Sequence, residues 1–242
     1  MVTVLVVVWL LLGALFYGAL LFLGREQYAP LKPRLLEALL ALFFLALFAL
    51  VAASDTVLVW CGLFRTDAAK FHAQLPLSDG ELYWCAAIEG GIWSTWAMAI
   101  LAMPLLVALG LESLHPWRYV ATATIAIVCF IACTVATGAL ASLLLARLIP
   151  LLRRGVKGIV IVTVCGILVA IALVVASASP SHQPLTFLHE VIGRIGFAEN
   201  PYLPSWWAQQ AVTATLYGRW NEWAYYCGLL LTTAAFLAVI GE

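Results

Sequence analysis

The sequence predicts an all-α, polytopic membrane protein with six transmembrane helices, and three observations carry that prediction. Of 242 residues, 65% are hydrophobic and only 10% charged, more apolar surface than a soluble globule can hide. The apolar residues are gathered into long runs, each enough to cross a hydrocarbon core of roughly 30 Å. Short links that hold prolines, glycines and basic residues separate the runs. Twelve basic and twelve acidic residues cancel, so no net field points to nucleic acid or to an acidic ligand. The chain reads as one transmembrane domain, 1–242, with spans near 2–23, 35–64, 82–109, 119–145, 159–178 and 223–240.

Val2 to Leu23 is an uninterrupted apolar run. It has no basic n-region and is too long for an h-region, so a cleavable signal peptide is not expected. Gly13 and Gly18 permit close helix approach without forming a GxxxG pair. The link Gly24-Arg-Glu-Gln-Tyr-Ala-Pro-Leu-Lys-Pro-Arg34 is a loop by composition. The second run, 35–64, would reach roughly 45 Å as one helix, longer than the bilayer is thick. It is therefore expected to be tilted or broken, with Ala53-Ser54-Asp55-Thr56 as the place for a break.

A polar segment follows. Phe64, Ala68, Phe71 and Leu75 recur at helical spacing, and Arg65, Asp67, Lys70 and His72 fill the other face. This predicts a short amphipathic helix at the root of a span, closed by Pro76. Ser78 stands three residues before Glu81, the spacing of a capping box that opens the third span. Pro104 should kink the outer half of that span. The fourth span is rich in Ala, Thr and Ser, as suits a helix buried among helices.

Arg147, Arg153, Arg154 and Lys157 share one short loop. Clustered basic residues stay in the cytoplasm, which puts both termini and the 65–81 segment on the cytoplasmic side of the inner membrane. Beyond the fifth span, Thr186 is expected to open a short helix ending at Gly196, and Ser205 to cap another ending at Gly218. Trp206, Trp207, Trp220 and Trp223 suit the membrane interface.

Two acidic residues stand out as a candidate intramembrane polar site. Asp55 is either an ionisable group at mid-depth, a functional site by default, or the cap of a short helix after a break. Glu89, beside Gly90-Gly91, either lines a polar cavity or snorkels to the interface. No catalytic, cofactor or metal site is expected. The histidines at 72, 115, 182 and 189 all lie in links, against haem ligation or a histidine box. His189-Glu190 lacks the second histidine of a zinc motif, and GxxxxGK[ST] occurs nowhere. The cysteines at 61, 85, 129, 133, 165 and 227 lie in or beside apolar runs without CxxC spacing and read as small core residues.

Several segments occur in a specific order. They are Phe64-Arg65-Thr66-Asp67, then Leu75-Pro76-Leu77-Ser78, then Glu81 and Glu89, Ser94-Thr95-Trp96 and Pro104. Further on come the Pro-then-basic loop around Pro150 and the Tyr202-Leu-Pro-Ser-Trp-Trp207 segment. Over residues 31 to 242 this order resembles the permease subunits of ABC-2 type exporters, within a broad bacterial exporter group. The resemblance implies a non-enzymatic permease that pairs with a second permease, as homodimer or heterodimer, in the lipid bilayer. It also implies a separate cytoplasmic ATPase docked on residues 65–81 as a coupling helix. Phe71 and Leu75 would be the buried anchors there, and Arg65, Asp67 and Lys70 the polar rim. From the residues alone, two other readings stay open: a non-transporting accessory or scaffold subunit, and a secondary transporter using Asp55.

Overall fold

The computed structural model describes residues 2–23, 32–64, 79–113, 115–151 and 196–241. Among them every regular element is helical: α1 (Val2–Leu23), α2 (Lys32–Phe64), α3 (Asp79–Glu112) and α4 (Pro116–Leu151) come first. A 3-10 turn (Gly196–Glu199), α5 (Pro204–Leu216) and α6 (Trp220–Gly241) complete the set. Three helical stretches are long and apolar enough to cross a membrane: Lys32–Leu63, Pro116–Arg147 and Trp220–Gly241. A fourth is added if the two halves of α3, Gly80–Trp96 and Ile100–Leu111, count as one bent span. Six spans are therefore not established. The expected fifth span, 159–178, lies outside the described residues, as do the amphipathic segment 65–78 and the helix expected after Thr186.

Several sequence expectations hold in detail. The first run is helical over the residues foreseen, and α3 begins at Asp79, immediately after the expected cap. The two halves of α3 meet at 53°, between Trp96 and Ile100. That is one turn before Pro104, where the proline removes the hydrogen bond to the Ile100 carbonyl.

Others are corrected. α2 does not break at 53–56: it runs unbroken for 33 residues, so Asp55 is no helix cap. Ser205 is not the cap of α5 either. Leu203 holds that position without a side-chain bond, and Pro204 occupies the first turn, where its missing N–H costs nothing. At the other end the expected glycine stop is present. Gly218 takes φ +69°, and the Arg219 N–H closes back on the Ala214 carbonyl at 2.8 Å, a Schellman ending. Gly196 opens a 3-10 turn, and the helix expected to end there lies outside the described residues. Cys129, Cys133 and Cys227 are buried as expected, but Cys85 is exposed.

α2 is the central rod, packed against α3, α4 and α5, while α6 lies on α4 and α5, and α1 on α3. The larger core is aromatic and aliphatic. Phe44 and Phe130 meet edge to face at 5.6 Å, Phe44 touches Phe43 at 5.7 Å, and Phe43 touches Phe16 at 5.9 Å. The hydroxyls of α4 are spent within their own helix: Thr124 donates to Val120, Thr134 to Phe130, Thr137 to Cys133 and Ser142 to Ala139. That back-bonding lets a Thr-rich helix be buried without orphaned donors. Across helices, the Trp223 indole donates to the Thr122 carbonyl at 3.2 Å and ties α6 to α4.

Candidate functional site: a carboxylate between three helices

A second, smaller core lies farther along α2, formed by Val59, Tyr83, Ala87 and Ala139. Asp55 belongs to this end of the helix and is fully buried, at 0% exposure. Its surroundings follow from two glycines. A methyl group on Gly90 of α3 would stand 3.0 Å from Asp55 Oδ1 and 2.9 Å from Val59. A methyl group on Gly138 of α4 would stand 2.8 Å from Asp55 Oδ2 and 2.9 Å from the Ala52 carbonyl oxygen. Only glycine lets two backbones come this close to one carboxyl group.

Thr56 fastens the same junction. Its hydroxyl is shared between the Ala52 carbonyl at 2.6 Å, in its own helix, and the Gly138 carbonyl at 3.1 Å, across the gap. At the next residue of α3, Gly91 packs against Val135 of α4 so closely that a methyl group would meet it at 2.8 Å. Ser94 is buried beside Asp55, but its hydroxyl donates to the Gly91 carbonyl at 3.2 Å. Neither oxygen of Asp55 has a hydrogen-bond partner among the described residues. A buried carboxyl group is rarely left so, because desolvating it without a partner costs several kcal/mol, on the order of those measured for buried ions.

The other sequence candidates fall elsewhere. Glu89 precedes Gly90 yet points away from Asp55, into a shallow exposed groove with Cys85, Ile88, Ile92 and Trp93. The structure does not bring the two acids together. Arg65, Asp67, Lys70, Phe71 and Leu75 lie outside the described residues. Sequence reading did not name Gly138, and it named Ser94 and Thr56 only as parts of a motif and of an expected break, not as neighbours of Asp55. The signal available was the glycines themselves, which sit in the middle of apolar runs where alanine would be the better helix former.

No cluster of three or more metal-ligating side chains occurs among the described residues. A cavity of about 300 Å³ between the start of α4 and the end of α5 is lined by Ser113, His115, Arg118, Tyr217 and Trp220. It offers cationic and hydroxyl donors near a helix start, but neither a preceding strand nor a glycine run of the phosphate-loop kind.

No curated protein and no solved structure matches this chain. A family model does, over residues 1–242, and its description is "Putative ATP-binding cassette". That description puts ATP in the family's own name and overturns three linked expectations: an ABC-2 permease subunit, coupling to a separate ATPase, and a non-enzyme. The setting of an ABC transporter with partner subunits stands; an ATPase that is always another chain does not. By the match along its whole length, the chain belongs to the family described as "Putative ATP-binding cassette".

Proposed function

We propose that this chain is a membrane-embedded, ATP-handling component of an ATP-binding cassette transporter. The observation that carries the reading is the family match across residues 1–242, beside helices long and apolar enough to cross a membrane. A nucleotide held by this chain would be held without a P-loop, since GxxxxGK[ST] occurs nowhere in the sequence. The test therefore asks for binding directly.

The arrangement proposed is multi-pass in the cytoplasmic membrane, six spans in all, with the basic 147–157 loop and both termini inside. Residues 65–75, with Phe71 and Leu75 on one face and Arg65, Asp67 and Lys70 on the other, would contact a partner subunit of the transporter. Asp55 is the intramembrane polar site, and Glu89 a lipid-side or interfacial acid.

The experiment is photolabelling of the purified chain in lipid nanodiscs with an azido analogue of ATP, alongside phosphate release. Saturable labelling of this chain, competed by ATP and accompanied by hydrolysis, is the expected result. Labelling confined to a co-purifying chain, or none at all, overturns the ATP-handling part and leaves the helical architecture untouched.

A further inference from the structure

We propose that Asp55 is a proton-binding site, its carboxyl group carried as the acid while α2, α3 and α4 are closed around it. This stands on the geometry of the cradle and does not depend on nucleotide binding. Three observations lead to it. The carboxyl group is fully buried, and neither oxygen has a partner among the described residues. An ionised carboxylate so placed would bear the full cost of desolvation. The space is also too small for any larger cation. Gly90 and Gly138 press on the two oxygens from opposite helices, with no room even for a methyl group, whereas a sodium or calcium ion needs a shell of several oxygens around it.

The third observation concerns the neighbouring hydroxyls. The Ser94 oxygen stands 3.2 Å from the Gly91 carbonyl, which its single hydrogen can reach. With that hydrogen on Gly91, Ser94 is left to accept from the proton of the acid; turned to Asp55, it would donate to an ionised carboxylate instead. The protonated acid takes the first arrangement. The Thr56 hydrogen is likewise committed, to the Ala52 and Gly138 carbonyls.

Among the described residues, no other charge nearby supplies the compensation. The titratable group of α3 on this side is Tyr83, an acid when it ionises, and Glu89 faces outward. α4 has no titratable residue from Thr134 to Ser142, and α5 has none. The 3-10 turn that packs on α2 brings only Glu199, and the Lys32, Arg34 and Glu37 side chains lie at the far start of α2. Loading is the transfer of one proton from a hydronium ion to the carboxylate: one O–H bond of hydronium breaks, one O–H bond forms on Asp55, and a water molecule is left. Release requires the helices to part, since closed packing leaves the ionised group without a donor.

Infrared spectroscopy of the full chain in nanodiscs tests this, with aspartate labelled by carbon-13 at the side-chain carboxyl. The sequence has three aspartates, Asp55, Asp67 and Asp79, so the labelled bands are few. The spectrum at neutral pH is compared with that of Asp55→Asn. Where that variant does not elute as a folded species, Asp55→Glu replaces it, keeping an acid while removing the labelled carbon. The expected result is complete loss of a labelled protonated-carboxyl band that shifts in heavy water. Loss of a labelled carboxylate band instead would mean that Ser94 turns its hydrogen to an ionised Asp55, and would overturn the proposal.

Discussion

The two cores of this molecule are held by opposite means. Around Phe44 and Phe130, rings meet edge to face and large side chains fill the space between α2 and α4. Around Asp55, space is removed instead: Gly90 and Gly138 let backbones close on a polar group, and Thr56 ties α2 to α4 at Gly138. On the membrane-embedded reading, where apolar surface gains little by leaving lipid, the first core would depend on packing contacts. The second depends on close approach and on hydrogen bonds with no water to replace them. The same pair of helices thus carries a filled end and a clamped end.

The contrast can be broken at either end. Phe130→Ala should have the largest effect. It leaves a cavity facing Phe44, at a cost of about 3 kcal/mol, read as unfolding in mixed micelles of lipid and denaturing detergent. Gly138→Ala should cost about 1–3 kcal/mol by the opposite route, overpacking. Its methyl group would meet both Asp55 Oδ2 and a backbone oxygen, and backbone cannot step aside. A small cost at Gly138 with a large one at Phe130 would mean that the clamp is looser than the filled core. Thr56→Val keeps the shape and removes the hydroxyl that α2 shares with α4. It should cost about 1 kcal/mol and speed amide hydrogen exchange on α4 near Gly138 with little change near Phe130. Glu89→Gln should sit within about 0.5 kcal/mol of the parent, since Glu89 faces an open groove; a larger loss would mean that it has a partner.

How much of this was legible in the sequence differs between the same two regions. The apolar runs, the start of α3 after Ser78 and the stop at Gly218 were readable because they are local. Hydropathy, turn chemistry and capping act over a few residues. The fate of Asp55 was not local. Ser54-Asp55 has the composition of a helix start, yet α2 stays helical through the site, where two glycines on other helices bring their backbones up against it. Ser205 misled in the same way, because Pro204 had already fixed the first turn. The broader error has a similar root. Composition reports the solvent a segment sits in, while the part a chain plays in a transporter is set by sites it forms and partners it meets. An ordered set of weak motifs in apolar helices pointed to a permease, and the family match points to ATP.

The length of the helices has one more consequence. The apolar stretches of α2 and α4 run 32 residues each, and that of α6 runs 22. At 1.5 Å per residue these are about 48 Å and about 33 Å. In a bilayer with roughly 30 Å of hydrocarbon, α6 fits nearly upright, whereas α2 and α4 must tilt or overhang. In a membrane, hydrophobic mismatch would therefore fall on the two helices that share Asp55, Thr56 and Gly138. Longer acyl chains would stand that pair up and shorter ones would lay it down, changing the crossing at the clamp while leaving α6 almost unmoved. On the membrane-embedded reading proposed above, lipid chain length would thereby be a variable to which the buried carboxyl group answers, at a distance from any ligand.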